Sequence, residues 1–98
     1  MAVFRAEAHI TLKHGVLDPQ GKAVHGALEA LGYSGVEQVR LGKLVEIEVQ
    51  AKDSAEARSR VEEMCRKLLA NPVLEEYRVA AVELLPNGGA AGAGGGGR

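Results

Sequence analysis

The chain of 98 residues has no tryptophan, one phenylalanine and two tyrosines. A sheet that binds RNA needs aromatic side chains on its strands to stack bases. Here the single phenylalanine, Phe4, falls on the apolar side of its segment, so that reading fails on residue type. There is one cysteine, Cys65, which forms no internal disulfide and suits a reducing compartment. Neither charge sign dominates: 12 Lys and Arg stand against 13 Asp and Glu, five against six in residues 1–50 and seven against seven beyond. A basic block is missing, which argues against nucleic acid or an anionic membrane as partner. No apolar run approaches the ~20 residues that cross a bilayer. The start, Met1-Ala2-Val3-Phe4-Arg5-Ala6-Glu7, lacks the basic-then-apolar order of a signal peptide. These absences lead us to expect a cytoplasmic protein.

What is abundant is glycine, and it is concentrated. Residues 87–98 read NGGAAGAGGGGR and hold seven of the 13 glycines. Such a segment buries nothing and loses much backbone entropy if ordered. We expect one folded domain over residues 1–86 and a flexible tail over 87–98. A domain of that size buries only about 60–65% of its unfolded surface, so support from self-association or a partner is expected.

Along the chain, Phe4, Ala6, Ala8, Ile10 and Leu12 alternate with Arg5, Glu7, His9, Thr11 and Lys13. This period of two predicts a strand with one buried face. Asp18-Pro19 opens a helix, with Asp18 as N-cap and Pro19 at a position whose N–H is not needed. Val24, Ala27, Leu28 and Leu31 form its apolar stripe, and Gly32 ends it. In residues 36–51 the apolar side chains Val39, Leu41, Val45, Ile47, Val49 and Ala51 share parity across Gly42. Two geometries keep them on one face: a hairpin with a three-residue loop, Gly42-Lys43-Leu44, or one long strand. A single strand would span roughly 50 Å at about 3.3 Å per residue, so half of it would need a second chain. A hairpin would leave an edge strand for a neighbour.

The second helix starts at the N-cap Asp53, with Glu56 three residues on as in a capping box. Ala57, Val61, Met64, Cys65, Leu68 and Leu69 make its buried stripe, and Glu56/Arg60, Glu62/Arg66 and Glu63/Lys67 are spaced as i,i+4 pairs. Asn71-Pro72 stops it. Residues 77–85 form the last strand, with Val79 and Ala81 on one side and Arg78, Ala80 and Val82 on the other. The order is β-α-β(β)-α-β: an α+β two-layer sandwich, an antiparallel sheet with two helices on one face.

Catalytic chemistry has little to work with. His9, His14, His25 and Cys65 show neither C-x-x-C nor H-x-x-x-H spacing, so no metal or cofactor is expected on this chain. Cys65 lies on an apolar stripe and reads as a buried structural thiol, since reactive cysteines sit in exposed electropositive surroundings. Glu46 and Glu48 share a strand face and read first as a solvated or docking face rather than an acid–base pair. Gly21-Lys22 and Gly42-Lys43 are not phosphate loops, because G-x-x-x-x-G-K-[ST] is absent.

A longer pattern joins these pieces. The runs Leu17-Asp18-Pro19-Gln20-Gly21-Lys22-Ala23-Val24, Gly26-Ala27-Leu28, Leu31-Gly32-Tyr33, Val39-Arg40-Leu41-Gly42-Lys43 and Glu63-Met64-Cys65-Arg66-Lys67-Leu68-Leu69-Ala70-Asn71-Pro72-Val73 resemble the PurS family in order and spacing, over about residues 3–85. PurS is the small subunit of phosphoribosylformylglycinamidine synthase in purine biosynthesis. The resemblance implies a non-catalytic adaptor between a PurQ-type glutaminase subunit and a PurL-type synthetase subunit, with ATP and Mg²⁺ held by the synthetase partner. It also implies a homodimer or a dimer of dimers. Asp18, Gln20, Lys22, Arg40, Gly42, Lys43 and Asn71 are the candidate interface residues. Two other classes compete. A free-standing ligand-binding regulatory module of the small α+β dimer type would show a ligand-dependent melting shift without a protein partner. A stand-alone enzyme using Glu46/Glu48 or His9 would turn over when purified alone.

Overall fold

The computed structural model of the chain describes residues 1–86; the glycine-rich tail expected over 87–98 lies outside the described residues. The elements are β1 (Ala2–Leu12), α1 (Pro19–Ala30), β2 (Gly42–Ala51), α2 (Ser54–Met64), a π-helical turn (Cys65–Leu69) and β3 (Glu75–Leu84). The strands form one antiparallel sheet in the order β2-β1-β3. This is the expected two-layer α+β architecture of one sheet and two helices. The first strand alternates as its sequence predicts: Phe4, Ala6, Ala8 and Ile10 are buried, and the intervening side chains are only partly so.

α2 supplies the second layer and packs across all three strands. Ala57, Val61 and Cys65 are completely buried against Phe4, Ala6, Ala8, Val49, Ala51 and Val79. Burial pushes the Cys65 thiol above its ordinary pKa, and the Glu62 carboxylate adds to the effect. That is the setting of an unreactive thiol. The Asp53 carboxylate accepts from the Glu56 N–H at 2.8 Å. The Glu56 carboxylate reaches back to the Lys52 N–H at 2.7 Å, one residue before the partner a capping box uses.

Four local readings need correction. Neither geometry expected for 36–51 forms: residues 36–41 are a connector, and the strand begins at Gly42 opposite Thr11. Gly42 is required for close approach, since a Cβ there would lie 2.5 Å from the Ile10 carbonyl oxygen. In β3, the pairing steps from Glu7↔Ala81 to Ala8↔Val79, so Ala80 is an extra residue. This bulge reverses the alternation: Val79 and Val82 share the core side, and Ala81 is exposed. At the end of α2 the Ala70 N–H reaches back five residues to the Cys65 carbonyl at 3.0 Å. The wider turn carries Ala70 inward and rotates Leu68 out, leaving it 82% exposed. Of the three i,i+4 pairs, Glu63–Lys67 forms an ion pair at 2.9 Å. Arg60 instead donates to the Gln50 carbonyl at 2.6 Å, and Arg66 hydrogen-bonds Tyr77. Both arginines thus tie α2 or its extension to the sheet.

α1 is placed differently. Because β1 and β2 are antiparallel neighbours, the segment 13–41 leaves and re-enters the sheet at the same end, and the helix lies off that end. Its apolar stripe is not an inner one: Val24, Ala27 and Leu31 are exposed and Leu28 is half-buried, with Gly21 alone buried. The end of α1 is well formed. The Gly32 N–H donates to the Glu29 carbonyl and the Tyr33 N–H to the Leu28 carbonyl, with Gly32 at φ +97°, which is a Schellman closure.

Candidate interface at one end of the sheet

Four segments converge where β1 ends and β2 begins: the loop 13–18, the first turn of α1, the connector 36–41 and the turn 70–74. Asp18 is the junction. Its carboxylate accepts from the Gly21 N–H at 2.9 Å, capping α1, and from the Leu41 N–H at 3.0 Å, fixing the approach to β2. These two bonds, the Leu41 one foremost, hold its pKa below the ordinary carboxylate value. Gly21 sits directly beneath: a Cβ there would run into the Val39 carbonyl oxygen and the Asp18 carboxylate. Glycine in the first turn of a helix is a poor helix former, so its cost is offset by this close contact.

The remaining contacts are polar. Arg40 donates from its guanidinium to the Leu12 carbonyl. His25 donates from Nε2 to the Val36 carbonyl at 2.6 Å. Lys13 reaches the Pro72 carbonyl with Nζ at 2.7 Å, and its N–H meets the Leu74 carbonyl at 2.8 Å. Lys43 lies between the Leu69 carbonyl at 3.5 Å and the Glu75 carboxylate at 3.8 Å. Asn71 shapes its own turn: its side chain accepts from the Val73 N–H at 2.9 Å, and its N–H donates to the Glu75 carboxylate at 2.7 Å.

All seven sequence-derived residues therefore lie at this end: Asn71 in the turn 70–74, and the other six along two recesses. Asp18, Lys22 and Arg40 line a groove of about 520 Å³ together with Lys13, His14 and His25. Asp18, Gln20, Gly42 and Lys43 line a smaller recess of about 320 Å³. Asp18, Arg40, Lys43 and Asn71 spend their polar atoms on the chain itself. Gln20 and Lys22 are exposed. Within the groove Asp18 occupies the helix start, and Lys13, His25 and Arg40 are bound to backbone carbonyls, whereas Lys22 is exposed. Sequence reasoning missed Lys13 and His25 as organisers of this end. Their partners are backbone oxygens, which no side-chain pattern reports; the first-turn Gly21 was the available signal.

The open face of the sheet is polar and mixed in charge. Arg5 lies between Glu48 at 3.3 Å and Glu83 at 3.8 Å, and Arg78 donates to His9 Nδ1 at 3.0 Å. Glu46 faces Glu7 across the strands. These carboxylates form a solvated face, not a pair enclosed for proton transfer. Among the described residues no group of three His, Cys, Asp or Glu is placed to hold a metal ion, and no helix is long and apolar enough to cross a membrane.

Comparison with known proteins gives one consistent result. The family model described as PurS, phosphoribosylformylglycinamidine (FGAM) synthase, matches residues 5–83. The chain is 46% identical over 74 residues to phosphoribosylformylglycinamidine synthase subunit PurS of Synechocystis, covering 76% of this chain and 74% of that one. With the Bacillus subtilis subunit of the same name, identity is 41% over 83 residues, covering 85% and 98%. Among solved structures, Thermus thermophilus PurS superposes with a TM-score of 0.78 at 46% identity, covering 86% of this chain and 99% of that one. A chain of the PurLQS structure from Thermotoga maritima superposes with a TM-score of 0.74 at 33% identity, covering 87% and 100%.

Proposed function

The chain belongs to the PurS family, and from that premise we propose that it is the adaptor subunit of a phosphoribosylformylglycinamidine synthase. It bridges a PurQ-type glutaminase, which releases ammonia from glutamine, and a PurL-type synthetase. The synthetase uses ATP and Mg²⁺ to convert formylglycinamide ribonucleotide into formylglycinamidine ribonucleotide. The observation that carries this reading is the match, over 87% of this chain, to the whole of a chain in the Thermotoga maritima PurLQS structure. The adaptor performs no bond-making step. It holds two active sites in register so that ammonia passes from one to the other without dilution, a contribution of position rather than of chemistry. The assembly works in the cytoplasm, with the adaptor as a homodimer or dimer of dimers. Asp18, Gln20, Lys22, Arg40, Gly42, Lys43 and Asn71 form the surface offered to the larger subunits; Gln20 and Lys22 make direct contacts and the others shape the surface.

The test is reconstitution. The chain should co-purify with its PurL-type and PurQ-type subunits. Glutamine-dependent synthesis should fall at least tenfold when it is left out, while synthesis driven by added ammonium persists in the synthetase alone. Full glutamine-dependent turnover without this chain would overturn the proposal.

A further inference from the structure

Charge is unevenly spread over this nearly neutral chain. The open face of the sheet carries Glu7, Glu46, Glu48 and Glu83 against Arg5 and Arg78. The groove at the end of the sheet has the opposite balance: Lys13, Lys22 and Arg40 line it, with His14 and His25, against Asp18 and Glu37. The Asp18 carboxylate is spent on the Gly21 and Leu41 N–H groups. Lys13 and Arg40 each give one hydrogen bond to a backbone carbonyl and keep further donors. The Lys22 ammonium is exposed and has no partner among the described residues, and His14 is exposed as well. The same groove is also aliphatic: Val16, Leu17 and Val39 line it, and Leu17 is 65% exposed.

We propose that this groove receives an acidic segment of one of the two larger subunits, with a Glu or Asp side chain on Lys22 and Arg40 and a neighbouring apolar side chain against Leu17 and Val39. Its volume of about 520 Å³ suits a few side chains of such a segment and falls in the range of specific sites. The chemistry selects the occupant. A guanidinium presents a planar fork that matches a carboxylate. A phosphate group carries more negative charge than a carboxylate, so it meets more repulsion from Asp18 and Glu37, and a free phosphate leaves Leu17 and Val39 uncovered. The open sheet face repels the same segment by its own carboxylates. The acidic partner therefore settles at one place on the adaptor and in one orientation, since complementary charge sets register and suppresses wrong docking. The inference rests on the adaptor reading for the identity of the partner, not for the chemistry of the groove.

The experiment has two arms. In the first, the full chain is titrated separately with its PurL-type and its PurQ-type subunit at low and at high salt. His14→Glu/Lys22→Glu should weaken binding to one of the two at least tenfold at low salt and flatten its salt dependence, with the other unchanged. Both positions are exposed, and a carboxylate in the first turn of a helix is favoured by the helix dipole, so the far-ultraviolet circular dichroism should stay the same. Glu46→Lys, on the sheet face, should not weaken the same partner. In the second arm the chain alone is followed by its amide resonances while a short capped polyglutamate peptide is added. Those of Gly21, Lys22 and Val39 should move. They should stay in place in His14→Glu/Lys22→Glu, and with inorganic phosphate at the same concentration. Unchanged affinity of the variant for both subunits, equal losses for both, or an equal response to phosphate would each overturn the proposal. So would a changed oligomeric state of the variant in sedimentation, which would put a second copy in the groove. An unaltered chain that binds neither subunit would overturn the adaptor reading; the polyglutamate shifts would still establish the groove as a site for acidic segments, and their absence would sink it.

Discussion

The two halves of this small domain are held together by different forces. From β1 through α2 and β3, stability comes from burial: Ala6, Ala8, Ala57, Val61 and Cys65 are completely buried. The segment 13–41 buries almost nothing and is held by a few polar contacts focused on Asp18, Gly21, His25 and Arg40. Burial is non-directional and scales with apolar area; hydrogen bonds fix position at a net ~1 kcal/mol each. The first half is therefore built as a platform, and the second is built to place a helix and a groove at a defined spot on it. For an adaptor, which contributes geometry, that division is useful.

Damage to the platform should lower the stability of the whole domain. Ile10 is 1% exposed, and Ile10→Ala should cost about 2–5 kcal/mol. The denaturation midpoint should fall with all probes moving together. A loss confined to one element, or none, would mean that the sheet and α2 do not unfold as one unit. Gly21→Ala attacks the other half by pushing a methyl group into the Val39 carbonyl and the Asp18 carboxylate. Overpacking of this kind costs about 1–3 kcal/mol. Here the loss should appear as faster amide exchange within residues 13–41, with protection in β1 and β3 retained. Equal loss in the strands would erase the distinction between the halves. Asp53→Ala, which removes the cap of α2, should cost about 0.5–2 kcal/mol and act on the platform globally, measurable as a midpoint shift. An unchanged midpoint would show that Ser54 or Glu56 replaces the cap.

How much of this was legible in the sequence follows the same division. The alternation from Phe4 to Ile10 and the caps Asp18 and Asp53 are local, and the residues report them directly. The family resemblance carried the functional reading. The Ala80 bulge was not legible, because an extra residue is defined only against the strand it pairs with. Nor was the π-helical turn, which leaves Leu68 in an apolar pattern but turns it to solvent. In α1 the period of Val24, Leu28 and Leu31 announces an apolar face; it does not say whether the same chain covers it. The residues proposed for the interface did converge at one end of the sheet. That placement followed from the antiparallel β1–β2 pairing, whose strand limits the shared parity of 36–51 had blurred.

The smallest effect is the most selective. Asp18 has its folded pKa lowered from 3.8, chiefly by the Leu41 N–H and next by the Gly21 N–H. A carboxylate with a lowered folded pKa contributes stability that is fully present above its unfolded value and is lost as pH falls through the folded value. The loss should therefore set in only in strongly acid solution, and should begin in the polar half, since no buried group of the platform depends on Asp18. The amide resonances of Gly21 and Leu41 should titrate together with a midpoint below 3.8, while those of Ala6 and Ala8 stay in place. In Asp18→Asn the shared titration should vanish, because the amide oxygen still accepts a bond but carries no charge to lose. A common midpoint at or above the ordinary carboxylate value would mean that Asp18 does not bridge α1 to the start of β2. The groove beside it would then lack the fixed geometry on which a positioning subunit depends.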